Sequence, residues 1–226
     1  DAYFLRGSAE LELGDYESAK ADFDQAISMD PKNYDRLIEI YEALAAHGYR
    51  EVGQEYLQNV LDTAKQLDAY DSGRIYYYLG EYQKAYLALD EARDKGGADS
   101  YLYLGRAYAA TGDYNYASSV YNNYLSKQGP NAEIYNELGL CEMAKKEYQL
   151  GLCELAKKDY QKALEAFQAG KQIEGNSLMQ TLCFNEIVAY EYLEDYQQAE
   201  VLMNAYLQNY PDDQAAIREQ QFLSTR

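Results

Sequence analysis

Apolar and small residues recur at helical spacing on both sides of a series of short turn-like phrases. The phrases are "LGDYESA", "GYREVG", "LGEYQKA", "TGDYNYA", "KKEYQ", "KKDYQKA" and "LEDYQQA". They recur with a period near 34, apart from one short step between Lys146 and Lys158; the other first turn residues are Gly14, Gly48, Gly80, Gly112 and Glu194. An apolar stripe before and after each turn predicts two amphipathic helices per period.

The first period shows why two packed helices are expected. Its apolar and small residues are Tyr3 and Gly7 before the turn, then Tyr16, Ala19, Phe23 and Ala26 after it. Pro31 ends the second helix, because proline cannot continue the hydrogen-bond ladder. The small side chains of Gly7 and Ala19 allow the two helix backbones to approach closely.

This pattern resembles the tetratricopeptide repeat. The repeat phrase has an aromatic residue, Leu-Gly or Leu-Ala, a second aromatic residue, a Gly turn, Tyr, Ala, Phe, Ala and Pro. The period 98–131 fits it best, with Tyr101, Leu104, Gly105, Tyr108, Gly112, Tyr114, Ala117, Tyr121 and Tyr124. The resemblance covers nearly the whole chain. It implies an all-α fold, a right-handed superhelical solenoid of antiparallel helix pairs whose first helices line a concave groove.

We expect one solenoid domain over residues 1–226, with about six repeats and a C-terminal capping helix. The predicted repeats are 1–33, 34–65, 66–97, 98–131, 132–179 and 180–213, and the capping helix covers 214–226. Either Asp212 or Asp213 can serve as the N-cap of that last helix.

One 12-residue segment is written twice in succession, as "LGLCEMAKKEYQLGLCELAKKDYQ" over residues 138–161, with ten of its twelve positions identical. The first copy is in phase with the repeat upstream of it, and the second copy with the repeat downstream. A segment of this length is too short for another helix pair. We therefore expect one irregular pair, with regular packing resumed by Ala163.

Two accommodations of the extra residues stay open. In one, the chain turns at Lys145–Lys146 and the second helix is lengthened, so that packing positions are taken by Tyr148, Gly151 and Leu155. In the other, the first helix runs to about Lys157 and the chain turns at the second Lys-Lys. The second arrangement places Glu147 where an aromatic residue is expected.

The charge of the chain limits its partners. The 226 residues include 20 Lys and Arg against 38 Asp and Glu, a formal net charge of −18. A phosphate backbone would be repelled, so no nucleic-acid partner is expected. No apolar run approaches the roughly 20 residues that span a bilayer, so no direct membrane insertion of this segment is expected.

Residue types that carry catalysis or hold cofactors do not form a recognisable set. His47 is the single histidine, and no serine or cysteine has an evident histidine partner for nucleophilic attack. The odd number of cysteines predicts reduced thiols rather than a disulfide framework or metal site; they are Cys141, Cys153 and Cys183. The glycines are explained by turns and helix contacts, so no phosphate loop is needed. We predict that the chain is not an enzyme and holds no cofactor or metal.

The resemblance assigns a peptide groove to particular positions of the first helices. These positions are occupied by Phe4, Ile38, Tyr70, Arg74, Tyr77, Tyr78, Leu102, Arg106, Asn136, Leu140, Phe184, Val188 and Tyr192. Arg74 and Arg106 hold equivalent places in consecutive repeats, so they are predicted to stand side by side and bind a carboxylate. The alternative is that each pairs with a neighbouring Asp or Glu.

The predicted function is that of a non-catalytic scaffold or adaptor, which binds a protein, as a peptide or helix, in its concave groove. The alternative is an accessory region of a larger enzyme or of an envelope-anchored, lipoprotein-like bacterial surface protein. That alternative arises because the chain opens at Asp1 partway through a motif. The unpaired cysteines favour a cytoplasmic location, whereas an N-terminal anchor segment preceding Asp1 would place the protein at the cell envelope.

Overall fold

The structure, a computed structural model, describes residues 2–64, 66–93, 97–147 and 153–225. Within those ranges the chain forms thirteen α-helices and no strand, which confirms the predicted all-α class. The first six helices are α1 Ala2–Glu12, α2 Tyr16–Met29, α3 Tyr34–Ala46, α4 Arg50–Thr63, α5 Ala69–Tyr78 and α6 Tyr82–Glu91. The others are α7 Gly97–Ala110, α8 Tyr114–Gln128, α9 Ala132–Glu147, α10 Cys153–Lys171, α11 Met179–Tyr192, α12 Tyr196–Asn209 and α13 Gln214–Leu223.

The helices belong to two compact units, Asp1–Lys95 with α1 to α6 and Gly96–Arg226 with α7 to α13. In both units each odd-numbered helix packs against the even-numbered helix that follows it, from α1 with α2 to α11 with α12. The last helix, α13, packs on α12. These pairs are the predicted units of two helices, and α13 is the predicted capping helix. We call the first helix of each pair a first helix and the other a second helix.

Local chemistry explains where the second helices begin. The turns need a left-handed backbone, which glycine adopts without a Cβ clash. Four turns have glycine there, with φ between 79° and 87°: Gly14, Gly48, Gly80 and Gly112. Glu194 takes the same conformation in the last pair, with φ 61°.

An aspartate then caps several of the second helices. The side chains of Asp15, Asp113 and Asp195 accept hydrogen bonds from the backbone N–H three residues on. Of the two candidates for α13, Asp213 is the N-cap, because its carboxylate accepts from the backbone N–H groups of Ala215 and Ala216.

The core of each unit is a series of small clusters between neighbouring helices. In the first unit, one cluster joins α1, α2 and α3 through Leu11, Ala19, Phe23, Ile40 and Leu44. In the second, one joins α10 and α11 through Ala163, Leu164, Phe167, Leu182 and Ala189. A further cluster joins α11, α12 and α13 through Ile187, Ala199, Met203, Tyr206, Ala216 and Leu223. Each helix is therefore stabilised chiefly by its neighbours in the chain, as in repeat proteins.

A glycine of the first helix meets a large side chain of the second helix in pair after pair. Gly105 lies against the ring of Tyr121, so close that an added Cβ would be 2.3 Å from it. Equivalent contacts join Gly7 to Phe23 and Gly73 to Leu89, and the separation along the chain is the same in all three pairs. In α9 and α10, Gly139 meets Phe167 in the same way, but these two residues lie further apart in sequence. The added separation equals the length of the duplicated segment.

The extra residues are thus accommodated between Gly139 and Phe167. Lys157 and Lys158 lie within α10, so the predicted turn at the second Lys-Lys is wrong. A turn at the first Lys-Lys is wrong as well, because α9 continues to Glu147. The second helix is lengthened, as in the first of the two open arrangements, because α10 has 19 residues against 14 or 15 in α2, α4, α8 and α12.

Packing around the duplication follows the downstream copy. Phe167 fills the position against Gly139. The side chain of Leu155 lies outside those that the structure describes. Tyr148 and Gly151 lie outside the described residues. Ala163 is fully buried beside Phe167, so regular packing has resumed there, as expected.

Candidate functional site

Three first helices of the second unit, α7, α9 and α11, are joined by polar bridges on one side. Arg106 of α7 reaches two glutamates of α9, and Asn185 of α11 donates a 2.9 Å hydrogen bond to Asn136 of α9. The side chains on this side are spaced three or four residues apart along α9 and α11, as residues on one helical face are. We call this surface the α7–α9–α11 face; it consists of Arg106, Glu133, Glu137, Leu140, Phe184, Val188 and Tyr192.

Arg106 lies in a cluster with two carboxylates. Its Nη2 donates to Glu133 Oε1 at 2.9 Å and to Glu137 Oε1 at 2.6 Å, and its Nε donates to Glu137 Oε1 at 2.9 Å. Burial opposes the charged guanidinium, but the two glutamates outweigh burial and raise the pKa of Arg106 above its ordinary value. Arg106 therefore stays protonated and bridges α7 to α9.

The apolar part of the face is open to solvent. Leu140 is 40% exposed and Tyr192 is 46% exposed. The Tyr192 ring stacks on that of Tyr160 of α10 with centroids 4.8 Å apart, so its exposed side has a fixed orientation. Phe184 and Val188, two turns and one turn earlier than Tyr192, are half-buried.

At the α13 end of the second unit, the face borders a cavity of about 210 Å³. Phe184 and Asn185 line it from α11, together with Tyr206 and Asp213. The Tyr206 hydroxyl donates a 2.6 Å hydrogen bond to Asp213 Oδ2, and this bond holds the pKa of the Asp213 carboxyl below its ordinary range. The carboxylate is also engaged as the cap of α13, which makes it a structural group.

In the first unit the predicted groove residues take part in internal contacts. Arg74 is only 6% exposed, and its guanidinium donates to Asp35 at 2.5 Å and to Asp71 at 2.6 Å. The same group lies 4.3 Å from the centre of the Tyr70 ring, a cation–π contact. Burial opposes its charge, but the hydrogen bonds to both aspartates raise the pKa of Arg74 above its ordinary value. Arg74 is therefore a buried bridge between α3 and α5.

The remaining aromatic candidates of the first unit are half-buried against neighbouring helices. The Tyr78 hydroxyl donates to Glu42 Oε1 at 2.5 Å, which links α5 to α3. The Tyr77 ring lies 5.8 Å from that of Tyr82 of α6. The guanidinium of Arg36 stacks 4.2 Å from the centre of the Phe4 ring.

The surface open to a ligand is narrower than the set assigned from sequence. Four of those residues are buried, namely Ile38, Arg74, Leu102 and Asn136. Arg74 and Arg106 belong to different units, and each is paired with acidic residues of its own unit, which was the alternative to a carboxylate clamp.

The acidic partners of the two arginines were not identified from sequence. Asp71 precedes Arg74 by three residues, a helical spacing that could have indicated it. Asp35 is 39 residues from Arg74, and Glu133 and Glu137 are 27 and 31 residues from Arg106. Those separations are close to one repeat period. Residues about one period apart lie on consecutive first helices, so the period itself could have indicated these pairs.

The thiols and the histidine sit in structural settings. Burial raises the pKa of the Cys141 thiol to about 12. Burial also raises the pKa of the half-buried Cys183 thiol. Both thiols are free, and high pKa values keep them protonated and weakly nucleophilic. His47 caps the C-terminus of α3 and its Nδ1 lies 2.9 Å from the Ala43 carbonyl oxygen.

Across the part of the chain that the structure describes, no three His, Cys, Asp or Glu side chains are grouped as metal ligands would be. Among the same residues, no helix combines the length and the apolar character that crossing a bilayer requires.

Comparisons with known proteins agree with this architecture. Residues 1–33 match a family model described as "Tetratricopeptide repeat", and residues 70–122 match a second model with the same description. Among curated proteins, none matches the sequence.

Solved structures with the same fold share little sequence identity with the chain. The structure described as "Functional Characterization of Pseudomonas Aeruginosa pilF" is 18% identical, with a TM-score of 0.55 over 100% of this chain and 97% of that chain. YrrB, described as "a TPR protein with an unusual peptide-binding site", is 18% identical with a TM-score of 0.53, covering 88% and 97%. The "APC/C hetero-tetramer Cut9-Hcn1" is 18% identical with a TM-score of 0.57, covering 100% and 42%. These likenesses show the fold alone.

Proposed function

We propose that this chain, which is a tetratricopeptide-repeat protein, is a non-catalytic scaffold or adaptor that binds another protein through the α7–α9–α11 face. Tetratricopeptide repeats generally mediate contacts between proteins, and they are typically not catalytic. The structurally similar YrrB is described as having a peptide-binding site. The bound segment would be an extended peptide or a helix lying across the three first helices.

One observation carries the proposal. Leu140 and Tyr192 expose 40% and 46% of their surface on adjacent first helices, and each lies within about two turns of the Asn136–Asn185 bridge. A tyrosine whose ring is already held by a neighbour, as Tyr192 is by Tyr160, is a favourable contact point, because little conformational entropy is lost when a ligand covers it. The polar bridges around Arg106 and Asn136 fix the helices that carry these side chains.

Paired charge substitutions test the proposal. The face variant Leu140→Glu plus Tyr192→Glu is compared with a control, Leu87→Glu plus Val201→Glu, which places the same charges on exposed second-helix residues. Proteins captured by the wild-type chain and by the control are expected to be lost from the face variant, by about tenfold or more in recovery. Equal recovery on all three, with matched circular dichroism spectra, would contradict the proposal.

A further inference from the structure

We infer that the α7–α9–α11 face binds a basic segment of its partner, in which a lysine or arginine lies near an apolar residue. The inference rests on the proposed function, because it gives the chemistry of the ligand for that same surface. It differs from the sequence-based expectation, in which Arg106 binds a carboxylate of the ligand. It is supported by the charge around Arg106 and by the position of Leu140. It is also supported by the carboxylate oxygens of Glu133 and Glu137 that accept no hydrogen bond within the described residues.

The cluster around Arg106 has an excess of negative charge. One guanidinium faces the two carboxylates of Glu133 and Glu137, which leaves a net charge of −1. An acidic ligand that approached Arg106 would also meet the carboxylates of Glu133 and Glu137, which repel it. A cation is instead attracted, and the net charge of −18 on the whole chain favours its approach at longer range.

The glutamates keep acceptors for a cation while they hold Arg106. All three hydrogen bonds from Arg106 end on the Oε1 atoms of Glu133 and Glu137. Within the described residues, no hydrogen bond reaches either Oε2, and the Glu133 side chain is 45% exposed. A lysine ammonium could therefore bond to Oε2 without breaking the Arg106 contacts. Because Arg106 already restrains both carboxylates, less side-chain entropy is lost when the ligand binds.

Leu140 places an apolar contact at a defined distance from this acidic cluster. It lies three residues after Glu137 and seven after Glu133, on the same side of α9. Seven residues of helix rise by roughly 10 Å. An extended peptide covers that length with about three residues, and a helix with about seven. The expected ligand therefore has a basic and an apolar residue about three positions apart if extended, or seven apart if helical.

Peptide selection tests this chemistry and needs no identified partner. A phage library of random dodecapeptides is panned on the wild-type chain, and selected peptides are titrated by fluorescence polarisation. The face-charge variant is Glu133→Gln plus Glu137→Gln. The control is Glu165→Gln plus Glu200→Gln, which removes the same charge from exposed positions of second helices.

Selected peptides are expected to contain more Lys and Arg than Asp and Glu. Their affinity is expected to fall about tenfold on the face-charge variant, since each exposed ion pair contributes about threefold, and to change by less than about twofold on the control. Should the double variant fail to fold, Glu133→Gln alone is expected to lower the affinity about threefold.

Other outcomes overturn the inference in distinguishable ways. Neutral or acidic peptides that lose binding to the Leu140→Glu plus Tyr192→Glu variant would overturn the basic ligand and leave the proposed function standing. Basic peptides that weaken equally on the control would show diffuse attraction by net charge, and would also overturn it. Selection of no peptide, or of peptides insensitive to both face variants, would contradict the inference and the proposed function together.

Discussion

Two arginines at equivalent places in consecutive repeats have different surroundings. Arg74 is 6% exposed and sits between two aspartates with its guanidinium over Tyr70. Arg106 has the same kind of carboxylate partners but keeps 27% of its side chain exposed. The first is a structural bridge, whereas the second belongs to a surface. Repeat position alone therefore does not decide whether a charged side chain is available for binding.

Replacing Arg74 tests its role as a bridge. Arg74→Gln is expected to destabilise the chain by about 2 kcal/mol, because it removes charge-assisted hydrogen bonds and leaves the half-buried Asp71 carboxylate without its partner. Lys20→Gln is the control, since the Lys20–Asp24 pair is largely exposed and its loss should cost under about 0.5 kcal/mol. Urea unfolding measures both. Equal midpoints for the two variants would contradict a structural role for Arg74.

At the scale of elements, one contact of the capping helix involves a carboxyl whose pKa lies near neutrality. Glu191 of α11 faces Glu219 of α13. Burial, and then the negative charge of Glu219, raise the pKa of Glu191 to about 7. A carboxyl whose folded-state pKa is raised binds more protons when folded than when unfolded between pH 4.5 and 7. Stability from this group is therefore fully present below about pH 4.5 and is lost as the pH rises through 7.

We expect the chain to be more stable at pH 5.5 than at pH 8.0 through this pair. The contribution is about 1 kcal/mol after allowance for solvent screening, which corresponds to roughly 2–4 °C in Tm. Glu191→Gln should remove most of this difference, and Glu200→Gln, an exposed change on α12, should leave it intact. Carboxyls with lowered pKa, such as Asp22 and Asp213, lose their contribution only at much lower pH. An unchanged pH dependence in Glu191→Gln would contradict this assignment.

Much of the architecture at this scale followed from the sequence. The repeat period, the turn glycines and the small residues on first helices predict helix pairs, because each feature reflects local geometry that sequence spacing reports directly. The bridges between first helices did not follow, since the partners of Arg74 and Arg106 lie nearly one repeat away in sequence. Burial of Ile38, Leu102 and Asn136 could not be seen from their positions in the repeat alone.

At the scale of the whole molecule, the duplicated segment is the largest departure from the regular period. The contact between Gly139 and Phe167 is preserved although one whole extra copy of the segment separates them. The extra residues lengthen α10, which has 19 residues. The apolar cluster that joins α10 to α11 contains small and large buried side chains, as the other clusters do. Nearest-neighbour packing explains why, because each pair needs only matching faces toward the next.

Removing one copy therefore tests whether the segment is dispensable for folding. Deletion of residues 150–161 restores the separation between the glycine and its large partner that the other pairs have. The chain is therefore expected to stay folded, with a Tm within about 3 °C of the wild type. The matched control removes two residues from within α10, Glu165 and Ala166. That deletion rotates Phe167 by roughly 200° relative to Ala163, so the two side chains can no longer keep their present contacts together.

The two deletions are compared by circular dichroism melting and by limited proteolysis of α10. The shorter deletion is expected to lower the Tm by several degrees and to expose α10 to cleavage, because the buried ring of Phe167 loses its contact with Gly139. Such behaviour would mean that the phase of α10 relative to α9, rather than its length, is what the fold requires. If the longer deletion unfolds the chain and the shorter deletion does not, the register assigned to α10 is wrong, and the duplicated copy itself stabilises the second unit.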